Sequence, residues 1–211
     1  MKAKLDHVVF GCLDLAEGEA ALAAAFGAPA AGHGTHVMMS THNALWNMGD
    51  AYIELVAIDP AAPDPGRPRW FGLDKEETKA RLADGPCLLT WIVATEDAAA
   101  IARAAPIPFG APEDFARDDL QWRMAVPKGG APGLDGVFPG PIEWITGMHP
   151  AQRLGDQGIR CEALTLTHPQ IEAVGDAMRI DDPSISCAKG PPQIGLTLST
   201  PNGAKAFHAF D

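Results

Sequence analysis

One pattern restricts this chain more than any other: an order of short elements, β-α-β-β-β, that is met twice and then begun a third time. In the first pass LDHVVFGCL reads as a strand, because it is rich in Val and Phe and holds no internal Pro. AEGEAALAAAFG reads as a helix, with Leu22, Ala25 and Phe26 at i, i+3 and i+4 and Gly27 where a helix stops. HVMMS, ALWNM and AYIELVAI then read as three strands, parted by His42-Asn43 and Gly49-Asp50. After a Pro-rich connection, DPAAPDPGRPRW, the segment FGLDKEETKARLAD reads as a short charged helix or a covering loop. In the second pass CLLTWIVAT is a strand, EDAAAIARAA a helix ended by Pro106, and LQWRMAVP, GVFPG and PIEWI supply further strands around the loop PKGGAPGLDG. The third pass is shorter: CEALTLTHP, a helix in QIEAVGDAM with Ile171, Val174 and Met178 spaced on one face, then SISCAK and QIGLTLST.

The register of the repeat is testable within the sequence. Setting Leu5-Asp6-His7 on Leu89-Thr90-Trp91 gives an offset of 84, and setting Tyr52-Ile53-Glu54 on Pro141-Ile142-Glu143 gives 89. The difference of five is within what loops absorb. The fold class expected is therefore α+β: paired βαβββ modules at 1–60 and 85–148, forming a cupped mixed sheet, with an appended βαββ unit at 159–211 on the same domain.

Composition excludes several functions. Lys and Arg number 16 against 27 Asp and Glu, a formal charge of −11. Such a chain is poorly suited to phosphate backbones or anionic lipid. No run approaches the roughly 18 apolar residues that span a bilayer, and MKAKLDHVVFGCLDL has no signal-type cleavage site. A cytoplasmic location is expected. Cys12, Cys87, Cys161 and Cys187 form no CxxC pair, so a Cys-type zinc site is excluded and reduced thiols are expected.

Two residues stand out. Glu54 sits mid-strand in Tyr-Ile-Glu-Leu-Val-Ala, where one face must be buried, and Glu143 repeats the oddity in Pro-Ile-Glu-Trp-Ile. A buried carboxylate needs a cation or donors; the alternative is a carboxylate on the solvent face of an alternating strand. His7 has the same character in LDHVVF, with a hydrogen-bonded core histidine as the bland alternative. One imidazole and two carboxylates converging inside a curved sheet would suit Fe, Mn, Ni, Co or Zn, with positions left open for substrate or water. Elsewhere, His33, His36 and His42 lack helical metal spacing and read as turn or pocket-rim residues. His149-Pro150 and His168-Pro169 read as strand-end punctuation. Trp122, Arg123 and Trp144 line either a cavity or the core. No Walker loop or GxSxG elbow is present.

The blocks LDHVVFGCLDL and STHNALWNMGDAYIELVAI, together with LQWRMAVP, PIEWITGMHPA and CEALTLTHP, resemble the vicinal oxygen chelate superfamily and, within it, glyoxalase-like domain proteins. The resemblance covers nearly the whole chain and rests on the order of these blocks. It implies a cupped sheet of paired βαβββ modules around a divalent metal, with ligands from the first and last strands of each module. The matching positions are His7, Glu54, Trp91 and Glu143. Trp91 departs from the pattern, because indole is no ligand; the resemblance then leaves His7, Glu54 and Glu143 as metal ligands and Trp91 as pocket floor. His36, His42 and Asn43 match the polar block before the third strand and, with Trp91, Trp122, Arg123 and Trp144, are the expected substrate contacts. The implied activity is that of a metal-dependent lyase, isomerase or dioxygenase on a small oxygenated substrate, with Glu54 or Glu143 as base. Two other readings stand beside it: a metal-free protein that sequesters a small molecule between tryptophans, and a structural homodimer module with a closed cavity.

Overall fold

A computed structural model describes residues 2–210. The first unit is β1 (Lys2–Gly11), α1 (Leu15–Phe26), β2 (Gly32–His36), β3 (Thr41–Met48) and β4 (Ala51–Ile58). After α2 (Glu76–Leu82) comes β5 (Cys87–Thr95), α3 (Ala98–Ala104), β6 (Glu113–Arg117), β7 (Leu120–Met124) and β8 (Gly140–Thr146). The rest comprises α4 (Pro150–Arg153), β9 (Arg160–Thr167), α5 (Glu172–Ala177), β10 (Arg179–Ile180), β11 (Ile185–Ala188), β12 (Gln193–Thr200) and β13 (Gly203–His208). The architecture is mixed α+β, a strand-rich cupped sheet with few helices.

Local chemistry accounts for most of these elements. Asp14 caps α1 by accepting from the Glu17 amide at 3.0 Å, and Gly27 closes the helix in the left-handed region at φ 75°. Apolar alternation drives β1, β3, β4 and β5, all nearly fully buried. HVMMS is not a strand: β2 stops at His36, Val37–Met39 make one tight turn, and Ser40 takes φ 49°. GVFPG is likewise largely a turn, at Leu134–Gly136. Two strands arise where no apolar run announces them, β6 in Glu-Asp-Phe-Ala-Arg and β13 in Gly-Ala-Lys-Ala-Phe-His. Each is recruited as an edge strand by its neighbour, β7 and β12 respectively.

The large sheet runs β2-β3-β4-β1-β5-β8-β7-β6, with β10 added beside the start of β1. In each unit the first and last strands pair in parallel, β1 with β4 and β5 with β8, and the two units join through antiparallel β1 and β5. β11-β9-β12-β13 form a second sheet. Strand alternation divides the large sheet into two faces. Val8, Phe10, Ile53, Leu55, Trp91 and Val93 face α1, α3 and the inner side of the second sheet, where Leu164, Leu166, Ile194 and Leu196 meet them in one core. Val9, Val56, Ile92, Trp122, Met124 and Ile142 face the concave side, which Trp70 and Phe71 cover from the long connection after β4.

The β1–β5 ladder contains one irregularity with consequences. Leu5 pairs with Val93 and His7 with Ile92, so Asp6 is an extra residue with no partner of its own. A bulge of this kind re-aims side chains. Here it lets the neighbours Asp6 and His7 touch each other on the concave side.

Phe26, fully buried, ties α1 to both sheets, edge-on to Trp46 of β3 and to Phe207 of β13. Phe26→Ala is expected to cost about 3–5 kcal/mol of unfolding free energy, measured as a shifted urea midpoint with an unchanged slope.

Candidate functional site

The concave face of the first unit carries a buried polar cluster. His7 Nδ1 donates to Asp6 Oδ1 at 2.6 Å, and its Nε2 faces Glu54 Oε2 at 3.5 Å. Asn43 Nδ2 donates to Glu54 Oε1 at 2.6 Å and approaches His36 Nε2 at 3.4 Å. The other His36 nitrogen, Nδ1, is 3.1 Å from Thr41 Oγ1, which makes Nδ1 the protonated nitrogen and Nε2 the acceptor. On the far side of His7, Asp6 Oδ2 accepts from Trp144 Nε1 at 2.7 Å and from His149 Nε2 at 3.1 Å. Tyr52 stacks on the His7 ring with centroids 4.4 Å apart.

Register explains why these side chains meet. β1 and β4 pair His7 with Tyr52 and Val9 with Glu54, so the two functional residues lie two positions apart on one face. β3 and β4 set Asn43 against Val56 and Leu45 against Glu54, which brings the Asn43 amide alongside the carboxylate. A small cavity of about 30 Å³ opens between His7, His36, Asn43, Glu54, Arg117 and the rings of Trp70 and Trp122. It has room for about two waters.

The cluster sets its own charges. Burial would lower the His7 pKa, but Asp6 and Glu54 outweigh it and hold the imidazolium up to about 9. Burial would raise Glu54, but hydrogen bonding and charge from His7, with Asn43 behind them, hold it down to about 2. Burial, incompletely offset by Glu54, takes His36 down to about 4 and leaves it neutral. Asp6 lies far below the carboxylate range, because its two histidines overcome its burial. The buried cluster is thus a charge chain, carboxylate–imidazolium–carboxylate, beside a neutral histidine. Breaking a buried pair of this kind costs about 3–5 kcal/mol.

The residues singled out in the sequence divide sharply. His7, Glu54, His36, Asn43, Trp122 and Trp144 share the cavity. Glu143 lies on the opposite face of β8. Its Oε1 accepts from the Ala98 amide at the start of α3 at 2.5 Å, and its Oε2 is 3.6 Å from Arg123. Arg123 is on the outer surface with Asp114. Trp91 lies in the helix-side core and donates to the Val137 carbonyl at 2.9 Å. His42 alternates with Asn43 and does not line the cavity. The physical reason is parity. β1 and β5 pair Val8 with Trp91 and His7 with Ile92, so the alignment that set His7 on Trp91 was displaced by an odd number of residues, which inverts facing. The second unit covers the cup with Ile92, Phe115, Trp122, Met124 and Ile142 and brings Arg117 and Trp144 to the cavity, none of them a metal ligand.

A divalent metal does not fit this donor set. The second unit offers it no ligand atom, and the Asn43 amide fills the space between His36 Nε2 and Glu54 Oε1. Among the described residues no group of three or more His, Cys, Asp and Glu side chains is arranged to hold a metal ion. Sequence reasoning passed over Asp6, Tyr52, Trp70 and Arg117 as site residues and took His149 for strand-end punctuation, whereas its ring donates to Asp6. Asp6 carried a signal, a second polar residue beside His7 inside an apolar strand. Arg117 carried none, because the strand that holds it has no apolar pattern. Trp70 is buried with its indole Nε1 unpartnered, a state that costs about 1–3 kcal/mol when nothing fills it.

The sequence matches the family model described as glyoxalase-like domain over residues 5–179. The chain therefore belongs to the glyoxalase-like domain family. A hypothetical protein from Staphylococcus aureus has a similar fold, with a TM-score of 0.56 at 14% identity, covering 98% of this chain and 85% of that one. A methylmalonyl-CoA epimerase from Mycobacterium tuberculosis aligns with a TM-score of 0.42 at 15% identity over 70% of this chain and 91% of its own. The search of curated proteins gives no match. No helix among the described residues is long and apolar enough to cross a membrane.

The charge chain predicts a stability maximum near pH 6.5. A raised His7 pKa gives stability that is complete below 6.5 and is lost as pH rises through about 9. A lowered His36 pKa costs stability as pH falls from 6.5 towards 4, and the lowered Glu54 pKa extends the loss from 4.5 down through about 2. Urea unfolding followed across pH should show both limbs, and His7→Gln should flatten the alkaline one.

Proposed function

We propose that the chain is an acid–base enzyme that enolises a small carbonyl compound, an isomerase or lyase of the glyoxalase-like family. The observation that carries this reading is the His7–Glu54 pair. Two opposite charges are buried at the end of a small cavity, yet their nearest atoms are 3.5 Å apart. That is too long for a strong hydrogen bond, so the Nε2–H of His7 is open to a substrate oxygen that enters beside Glu54. An entering carbonyl oxygen would take the Nε2–H of His7. Glu54, relieved of its imidazolium partner, would become a stronger base.

The step is then a proton transfer. Glu54 removes the proton from the carbon next to the carbonyl, and the His7 imidazolium stabilises the negative charge that develops on the oxygen. With a 2-hydroxy carbonyl compound, His7 gives its Nε2 proton to the first oxygen and takes the hydroxyl proton from the second, while Glu54 returns its proton to the neighbouring carbon, which completes an isomerisation; return to the same carbon gives exchange alone. Asp6 holds the His7 ring in orientation and supports its positive charge, while Asn43 fixes the carboxylate from the other side. Burial under Trp70 and Phe71 excludes bulk water and strengthens each of these interactions.

A metal-free binding protein is the second reading. It is favoured by the aromatic wall in which Phe115 and Trp122 stack, with Trp144 tilted 5.7 Å away. Proton exchange separates the two. Incubated in heavy water with pyruvate, hydroxyacetone or dihydroxyacetone, the enzyme should wash deuterium into the carbon next to the carbonyl, read by NMR. Glu54→Gln should slow that exchange by about 10²- to 10⁴-fold, as expected for loss of a general base, with ligand binding retained. Binding without exchange in the wild type would favour the sequestering protein.

A further inference from the structure

Two side chains that border the cavity keep hydrogen-bonding capacity unused. Arg117 reaches across from β6, and its one side-chain hydrogen bond goes to Asn43 Oδ1 at 3.3 Å. Six of the nine arginines, Arg67, Arg69, Arg123, Arg153, Arg160 and Arg179, sit against a carboxylate, whereas Arg117, like Arg81 and Arg103, forms no ion pair among the described residues, and of these three it alone lines the cavity. The second donor is the indole Nε1 of Trp70, whose side chain borders the same cavity while lying in the core. Buried polar atoms are nearly always satisfied in folded proteins, so an orphan beside an empty space points to a ligand atom.

The seat of Arg117 is built into the backbone. A Cβ on Gly34 of β2 would lie 2.5 Å from Arg117 Nη1 and 2.7 Å from its Cδ. An alanine at position 34 would therefore push the guanidinium out of this place. The guanidinium lies over a bare stretch of β2, the edge strand at the other end of the sheet from β6, and this brings the two edges together over the cup.

From these positions we infer that the substrate of this site carries a carboxylate, docked on Arg117 with help from the Trp70 N–H. This rests on the acid–base reading above for what happens next, but not for the docking itself. A guanidinium presents paired N–H groups that match the two oxygens of a carboxylate. The free space of about 30 Å³ suits a group of that size and excludes a bulky one. Glu54, the cavity's own carboxylate, is matched by His7 and Asn43 and so does not take Arg117. A small 2-oxo or 2-hydroxy acid would use both groups, its carboxylate on Arg117 and its neighbouring oxygen on His7.

The test compares pyruvate with its neutral isostere pyruvamide by calorimetry and by shift of the melting temperature. Formate, glycolate and benzoate vary the carbon skeleton, and inorganic phosphate probes a different anion. The expected result is that pyruvate or another of the carboxylates binds, and that pyruvate binds at least tenfold more tightly than pyruvamide. Arg117→Met should bring acid and amide within twofold, Arg117→Lys should restore part of the preference, and Trp70→Phe should weaken pyruvate several-fold. Gly34→Ala, which keeps the arginine but denies it its seat, should reproduce the loss and guards against a folding defect in the Met variant. Glu54→Gln should keep the preference or sharpen it. Equal binding of acid and amide, an undiminished preference in Arg117→Met, tighter binding of phosphate than of any carboxylate, or no binding of any carboxylate overturns the inference. Carboxylate binding without deuterium exchange would leave it standing and remove the enolisation reading instead.

Discussion

The contact on which the site depends is the 2.6 Å hydrogen bond between neighbouring residues, Asp6 and His7. Side chains at i and i+1 of a regular strand point to opposite faces and cannot meet. They meet here because the β1–β5 ladder skips Asp6. The bulge places a second charge on the concave side, next to the histidine it supports. Without that carboxylate, His7 would have Glu54 alone to set against its burial, the balance that leaves His36 neutral. With it, His7 is an imidazolium, Glu54 has a counter-ion, and the buried carboxylate of β4 becomes tolerable.

The two βαβββ units share a topology but contribute unequally. The first supplies Asp6, His7, His36, Asn43 and Glu54; the second supplies a largely apolar wall of Ile92, Trp122, Met124 and Ile142, the Trp144 indole that donates to Asp6, and Arg117 from its edge strand. That asymmetry gives the cup a polar end and a dry wall. A dry wall is useful to an ion pair, because low polarity strengthens each charge–charge interaction next to it. The second sheet packs on the far face of the large one, against α1 and the helix-side core. It backs the strands that hold the site without reaching the cavity.

Much of the fold was legible because it follows from local rules. Apolar β-branched runs specify β1, β4 and β5, an Asp cap and a terminal Gly bound α1, and the spacing of units marks the repeat. Edge strands were harder. Glu113–Arg117 and Gly203–His208 have little apolar content, and only pairing with a neighbour makes them strands. The site shows the same division. Glu54 and His7 attracted notice as polar residues in apolar strands, and both lie in the cavity. Glu143 attracted notice on the same ground and lies on the other face, where the start of α3 and Arg123 satisfy it.

The sequence by itself determined the elements, their order and the identity of the odd polar residues, since each depends on neighbours a few positions away. The tertiary structure alone decided which face each odd residue took. Facing in a strand reverses with a single-residue slip, and an irregularity such as the bulge at Asp6 leaves no mark in an apolar pattern. It alone also brought Arg117 to Asn43, 74 positions away, over a glycine whose purpose is visible only when two sheet edges close on each other.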